Sequence, residues 1–191
     1  LHLLRTQMLK QGAILQDVAD RLRQSLGIDH RIAPMSNDKI STTVNTAGGK
    51  LAFQEYFVRE KCEPAVIDFD FEGIENANPN PVVMSWLDEC DGIIICPSNP
   101  YVSVDTIISV PKYREVFQSK PVIAVSPIVG GLAIKGPAAK MMKELGVPPT
   151  PVAVGKDYGS LLSGCVLDQP DDEQAIVIPI RAIVTRTFRL T

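Results

Sequence analysis

The chain has 191 residues, 45% of them hydrophobic and 21% charged, with a formal net charge of −3 and a pI near 5.4. That is enough apolar material for an α/β domain with a real core, which sets aside disordered and fibrous classes. The acidic balance argues against a nucleic-acid partner, whose recognition needs clustered Lys and Arg, and no apolar run approaches the roughly 20 residues that cross a bilayer.

No membrane partner is therefore expected, and with no signal-peptide layout at the amino terminus a cytoplasmic location is the default. Cys62, Cys90, Cys96 and Cys165 form no C-x-x-C pair and no Cys/His cluster, so they read as reduced structural thiols, with Cys96 and Cys165 as buried small hydrophobes beside strands. The chain opens at Leu1 with no initiator methionine, and an absent amino-terminal portion is the expectation drawn from that.

Ile14, Leu15, Val18, Leu22 and Leu26 fall at helical spacing, with Gly27 as a stop. A short strand is predicted over Arg31 to Ala33, then a polar loop from Pro34 to Lys39. Ile40 to Asn45 and Leu51 to Val58, rich in β-branched and aromatic residues, predict a hairpin through Ala47-Gly48-Gly49-Lys50. Glu72 to Pro81, with two prolines and three asparagines, reads as a linker.

From Pro81 a regular alternation begins. Pro81 opens a helix that turns Val83, Trp86, Leu87 and Cys90 inward, and Gly92 to Cys96 is an apolar strand. A helix near Pro111 to Phe117, a strand from Pro121 to Val125 and a helix from Pro137 to Leu145 follow. Strand-like Val152 to Val154, a helix near Tyr158 to Leu162, and strands at Cys165 to Leu167 and Ala182 to Thr185 complete the pattern. The expected fold is a single α/β domain over 1–191: a Rossmann-like, mostly parallel sheet with helices on both faces and a β-hairpin insertion near 40–58.

Two loops follow strands, where ligands bind in open α/β sheets. In Cys96-Pro97-Ser98-Asn99-Pro100-Tyr101-Val102-Ser103, the side chains of Ser98, Asn99 and Ser103 offer hydroxyl and amide groups; a polar turn capped by Ser and Asn explains the same residues equally well. In Ser126-Pro127-Ile128-Val129-Gly130-Gly131, continuing to Lys135-Gly136-Pro137, the paired glycines permit close backbone approach and Lys135 can set a charge on a phosphate. The spacing is not that of a P-loop, and an ordinary Gly-rich connection with a solvated Lys is the alternative.

Phe53-Gln54-Glu55-Tyr56-Phe57-Val58, Cys96-Pro97-Ser98-Asn99-Pro100 and Ser126-Pro127-Ile128-Val129-Gly130-Gly131 with Lys135-Gly136-Pro137-Ala138, in that order, resemble the 2-phospho-L-lactate transferase family. Met35-Ser36-Asn37-Asp38 also resembles a family loop, although Asn37 and Lys39 stand where the family tends to show Asp and Pro, and Asp105-Thr106 where it tends to show Gly-Pro. The family's opening strand with its glycine-rich turn and its early acidic segment have no counterpart in the sequence.

The resemblance implies transfer of a phospho-acid group from a guanosine diphospho-acid donor to the terminal hydroxyl of the deazaflavin Fo, releasing GMP, in coenzyme F420 biosynthesis. It implies Mg²⁺ as cofactor, since such chemistry rests on alignment and charge neutralisation. On this reading Ser98, Asn99, Ser103, Gly130, Gly131 and Lys135 serve the guanosine diphosphate side. Asp38, Gln54 and Tyr56 serve the acceptor side, while a half-buried strand face accounts for Gln54 and Tyr56 equally well and a turn role for Asp38. No protein nucleophile or metal ligand is assigned. The other readings are a non-catalytic nucleotide-metabolite regulator of the gluconeogenesis-factor type, or a fragment that binds nucleotide only. The oligomeric state is left open, with a homodimer among the assemblies admitted.

Overall fold

In the computed structural model, which describes residues 1–187, the chain opens with two helices, α1 (His2–Lys10) and α2 (Leu15–Ser25). The first was not anticipated; the second matches the predicted periodicity, with Val18 buried. No strand forms at 31–33. There Pro34 carbonyl instead accepts from Asn80 Nδ2 at 2.9 Å, and the Arg31 guanidinium lies 4.8 Å from the Trp86 ring centroid.

The predicted hairpin is β1 (Ser41–Thr46) and β2 (Gly49–Ala52), joined through Ala47 and Gly48. Thr46 Oγ1 fixes the turn by donating to Gly49 carbonyl at 2.8 Å and accepting from Gly48 N–H at 3.2 Å. A third strand, β3 (Val66–Glu72), pairs antiparallel with β1 to give the order β2-β1-β3. It was missed in the sequence, although Asp68, Phe69, Asp70, Phe71 and Glu72 alternate with the period of a half-buried strand.

The strand expected to reach Val58 stops at Ala52. A π-helical turn, Glu55–Arg59, replaces its second half. The interactions there have helical spacing: Phe53 and Phe57 stack at 5.7 Å, Glu55 and Arg59 form an ion pair, and Glu60 N–H bonds Glu55 carbonyl at 3.0 Å. The two i,i+4 side-chain pairs and the i,i+5 backbone bond outweigh the strand propensity of Phe, Tyr and Val.

The predicted linker is built structure. Gly73 has φ +85°, and a Cβ there would stand 2.5 Å from Lys39 carbonyl oxygen, so only glycine permits this approach of the β3 exit to the segment before β1. A 3₁₀ turn, Ile74–Asn76, follows, and Asn80 caps α3 (Pro81–Glu89) through a 3.0 Å bond from Val82 N–H. Asn80 is only 1% exposed, and its Nδ2 also donates to Gln16 Oε1 at 2.7 Å, tying α2 to α3.

The remaining chain forms a four-stranded parallel sheet flanked by helices, in the order β4-β5-β8-β9. Its strands are β4 (Ile93–Ile95), β5 (Val122–Val125), β8 (Gly164–Leu167) and β9 (Arg181–Val184). Between them come α4 (Asp105–Ile108), α5 (Tyr113–Gln118), a small hairpin of β6 (Ile128–Val129) and β7 (Leu132–Ala133), α6 (Ala138–Glu144), α7 (Pro151–Tyr158) and α8 (Gln174–Val177). The predicted strand at 152–154 is part of α7: Thr150 Oγ1 accepts from Ala153 N–H at 3.1 Å and Pro151 takes the first helical position, so cap chemistry overrides the β-branched residues.

Ile95, Ala124 and Leu167 point into the helical side, and one core joins this sheet to the antiparallel one through Val44, Val66, Tyr56, Tyr113 and Met141. Cys165 is buried as expected. Cys96 is exposed: the strand ends at Ile95, and Cys96 lies two residues beyond Ile94, which is itself exposed.

Candidate functional site

β4 and β5 are adjacent and parallel, with Ile93, Ile94 and Ile95 opposite Val122, Ile123 and Ala124, so the loops that leave their carboxyl ends emerge side by side. The first passes through Ser98 and Asn99 into a second π-helical turn, Pro100–Val104, before α4. Asn99 caps that turn. Its Oδ1 accepts from Tyr101 N–H at 3.0 Å and Val102 N–H at 3.3 Å, while its Nδ2 lies 3.1 Å from the Met141 sulfur on α6. The Met141 contact joins this loop to the helix that follows the second loop.

Ser98 and Ser103 are half-buried, and Ser103 N–H is spent on Asn99 carbonyl at 3.2 Å. Just behind Ser103, Asp105 is pushed up to about 7, chiefly by burial and then by Asp157, with Arg114 opposing. Burial and the same two carboxylates push Tyr101 up to about 12. Asp105 and Asp157 thus border the loop that follows β4, and nothing in the sequence pointed to Asp157 there.

The second loop is a hairpin. Gly130 and Gly131, at φ +57° and +78°, are the two turn residues between β6 and β7, and positive φ at both positions is what a type I′ turn demands. Gly130 N–H donates to Asp171 Oδ2 at 3.0 Å. Asp171 is buried in the 3₁₀ turn after β8, and its Oδ1 accepts from Gln174 Nε2 at 3.3 Å. Burial raises its pKa first, then the neighbouring Asp168, against the lowering from the Gly130 bond. Around Gly131 the space is open, with no atom within 4 Å of where a Cβ would stand. Lys135 is exposed three residues before α6.

The acceptor-side candidates do not come together. Gln54 is exposed and lines a cavity of about 510 Å³ with His2, Arg5, Ser41, Thr42 and Phe53. Tyr56 is fully buried: its hydroxyl donates to Cys62 carbonyl at 3.3 Å and accepts from Lys140 Nζ at 3.4 Å. The shared face that strand alternation assigned to Gln54 and Tyr56 is therefore absent, because the backbone there turns helically. Asp38 is exposed, and its Oδ2 accepts from Asn78 N–H at 2.7 Å and Asn78 Nδ2 at 3.1 Å, which holds its carboxyl below the usual range. The loop around it is anchored by Ser36 Oγ donating to Asn78 carbonyl at 2.6 Å and by Asn37 Oδ1 accepting from Gln16 N–H at 2.9 Å.

Among the described residues no three His, Cys, Asp or Glu side chains converge as metal ligands. Asp38 and Asp105 stand on separate segments, and Asp168 Oδ2 accepts from Thr187 N–H at 2.6 Å. No helix among the described residues is long and apolar enough to cross a membrane.

Comparison with known proteins decides the family. Residues 1–178 match the profile described as 2-phospho-L-lactate transferase CofD. The chain belongs to this family. It is 36% identical over 170 residues to the 2-phospho-L-lactate transferase of Methanosarcina mazei, covering 89% of this chain and 56% of that one. A 2-phospho-L-lactate transferase of Methanocaldococcus jannaschii is 33% identical over 191 residues, covering 98% of this chain and 61% of its own. The Phosphoenolpyruvate transferase of Thermobifida fusca is 34% identical over 188 residues, covering 95% and 58%. The CofD-family chain thus spans little more than half the length of these relatives. Crystal structures of the Bacillus halodurans protein BH3568, one of them described as a member of the upf0052 family, share the fold. They have TM-scores of 0.65 and 0.63 at 12% identity, and each comparison covers 96% of this chain and 64% of that one.

Proposed function

We propose that this chain supplies the guanosine diphosphate side of a transferase that moves a phospho-acid group, phospholactyl or phosphoenolpyruvyl, from a guanosine diphospho-acid to the hydroxyl of the deazaflavin Fo. GMP leaves, and the pathway served is coenzyme F420 biosynthesis. The observation that carries the reading is family membership across residues 1–178, together with two polar loops at the carboxyl ends of adjacent parallel strands. The names of the relatives, which include both a phospholactate and a phosphoenolpyruvate transferase, support either acid.

In this reading Lys135 contributes charge to the diphosphate, Ser98 and Ser103 contribute hydroxyl groups, and the open space over Gly131 admits a close backbone approach. Asn99 and Gly130 hold the two loops in shape, since the Asn99 carboxamide oxygen and the Gly130 N–H are already bonded within the protein. Asp38 and Gln54 remain the acceptor-side candidates, with Tyr56 acting from beneath as a packing residue. Magnesium, which neutralises charge on transferring phosphates, would travel on the diphosphate oxygens, and no step is assigned to it through a protein ligand set.

Titration calorimetry with GDP and ADP tests the nucleotide site, using the wild type and Lys135→Met. The expectation is a preference for GDP and a loss of about tenfold in affinity, roughly 1.4 kcal/mol, on removing the charge, with an unchanged urea midpoint. Equal affinity for both nucleotides and both proteins would refute the placement. Fo-dependent release of GMP from the guanosine diphospho-acid, with Mg²⁺ present, measures transfer; tight GDP binding without release would favour the nucleotide-binding regulator instead.

A further inference from the structure

Four oxygen-bearing side chains meet where the turn after β4 approaches α7, and among the described residues none of them has a hydrogen-bond or ion-pair partner. Two are phenols: Tyr101 in the turn is 9% exposed and Tyr158 at the end of α7 is 3% exposed. Neither hydroxyl is among the side-chain atoms sealed from solvent, so both face open space. The other two are carboxylates, Asp105, half-buried at the start of α4, and Asp157, exposed on α7. Each of the four lies within electrostatic reach of the other three.

Buried polar groups are nearly always hydrogen-bonded, and a pair of like charges near the core is costly without a counterion. Burial first, then Asp157, holds Asp105 up at about 7 with Arg114 opposing. Burial and the two carboxylates together keep both phenols protonated. Arg114 on α5 acts only through its field, since it forms no ion pair with either acid among the described residues. The cluster is therefore complementary to a cation.

Asp157 also lines a cavity of about 380 Å³ between α7 and the connection that follows α6. The walls include Val147, Pro148, Val152 and Ala153, with exposed Lys156 beside Asp157. Apolar walls with a few polar groups are what small organic molecules occupy, and aromatic rings beside carboxylates suit an ammonium head. A divalent metal fits less well. No three His, Cys, Asp or Glu side chains converge among the described residues, and protonated phenols are weak metal ligands.

We infer that Asp105 and Asp157, with the Tyr101 and Tyr158 hydroxyls, bind the ammonium group of a small aliphatic amine whose hydrocarbon stem lies along Val147, Pro148, Val152 and Ala153. The ammonium donates to the carboxylates and to the phenol oxygens, which gives the unpaired groups partners. Asp105 follows Ser103 by two residues, so the amine sits directly behind the loop that leaves β4.

The probe is n-butylammonium chloride, titrated calorimetrically into the full chain at constant ionic strength and without nucleotide, so the outcome is independent of the transferase reading. Saturable one-to-one binding is expected, weakened about tenfold by Asp105→Asn and by Asp157→Asn. Asp91→Asn, an exposed acid outside the cluster, should leave it unchanged, and 1-butanol should not bind. Asp105 must shed its proton to hold a cation, so the wild type should bind about tenfold more tightly at pH 8 than at pH 6, a difference lost in Asp105→Asn. That comparison reads the site in the unaltered protein even where a variant is unstable. No saturable binding, equal binding by the wild type and both cluster variants, or a flat pH response would overturn the inference. Binding of Mg²⁺ or Ca²⁺ that both variants abolish, with none of butylammonium, would overturn it in favour of a metal site.

Discussion

Gly130 N–H is bound to the carboxylate of Asp171 across 3.0 Å, a contact between residues 41 apart in sequence. The turn that resembles a phosphate cradle is therefore held from behind by an acid. A phosphate approaching the Gly130 amide would have to displace a buried carboxylate, whereas Gly131 and Lys135 remain accessible. Asp171→Ala should lower unfolding free energy by about 1–3 kcal/mol, the range for orphaning a buried bond of this kind. Asp171→Asn, which keeps an acceptor oxygen, should lose less. Urea titrations of the two variants check the order, and equal losses would mean that the negative charge, and not merely an acceptor oxygen, is what the contact requires.

Asn99 is the cap of the turn after β4, and a capping residue replaced by Ala typically costs about 1 kcal/mol and up to about 2. Asn99→Asp keeps the acceptor oxygen for Tyr101 and Val102 N–H and should retain stability, while its added negative charge should weaken GDP binding about tenfold. Thermal melts and calorimetry on the same samples separate the two effects. Unchanged GDP affinity in Asn99→Asp would remove this loop from the nucleotide site.

Asn80 satisfies Gln16 Oε1, Pro34 carbonyl and Val82 N–H from one buried side chain, and its own N–H bonds the Tyr113 hydroxyl at 3.2 Å. Asn80→Ala strands several of those partners and removes a helix cap, for an expected loss of about 2–4 kcal/mol. The exposed Asn76→Ala should be near neutral. Chemical denaturation gives both values, and a small effect at Asn80 would show that water substitutes for its amide.

Asp105 carries a folded-state pKa of about 7, well above that of an unfolded aspartate. The folded protein then binds more protons than the unfolded chain between about pH 4 and 7, so stability is greatest at the acidic end of that window for this group and falls as pH rises through it. Asp157, raised by burial with Arg114 opposing, adds a contribution of the same sign. Asp105→Asn should flatten the decline in stability between pH 5 and 7.5. An unchanged slope would place the responsible proton elsewhere.

Several strands and helices from Pro81 onward were legible because apolar runs and Gly or Pro stops coincide there, as at Ile93–Ile95 between Gly92 and Pro97 and at Ala138–Glu144 before Gly146. Misreadings arose where local chemistry opposed propensity: the Thr150-Pro151 cap against Val152 and Val154, and the helical pairing of Phe53 with Phe57 against their strand preference. That the loops after β4 and β5 emerge side by side was legible, since the two apolar runs predict neighbouring strands. What each side chain does there was not, because Asn99 is committed to Tyr101, Val102 and Met141, and Gly130 to Asp171, through folding partners that no short-range spacing shows.

Gly73 touches no candidate ligand group, yet a side chain there would push against Lys39, the neighbour of Asp38. A saturation screen scored on activity alone would consequently flag Gly73 as if it belonged to the acceptor site. Its variants would fail by moving the Asp38 loop away from the sheet, and a melting curve beside the activity score would tell that displacement from a loss of chemistry.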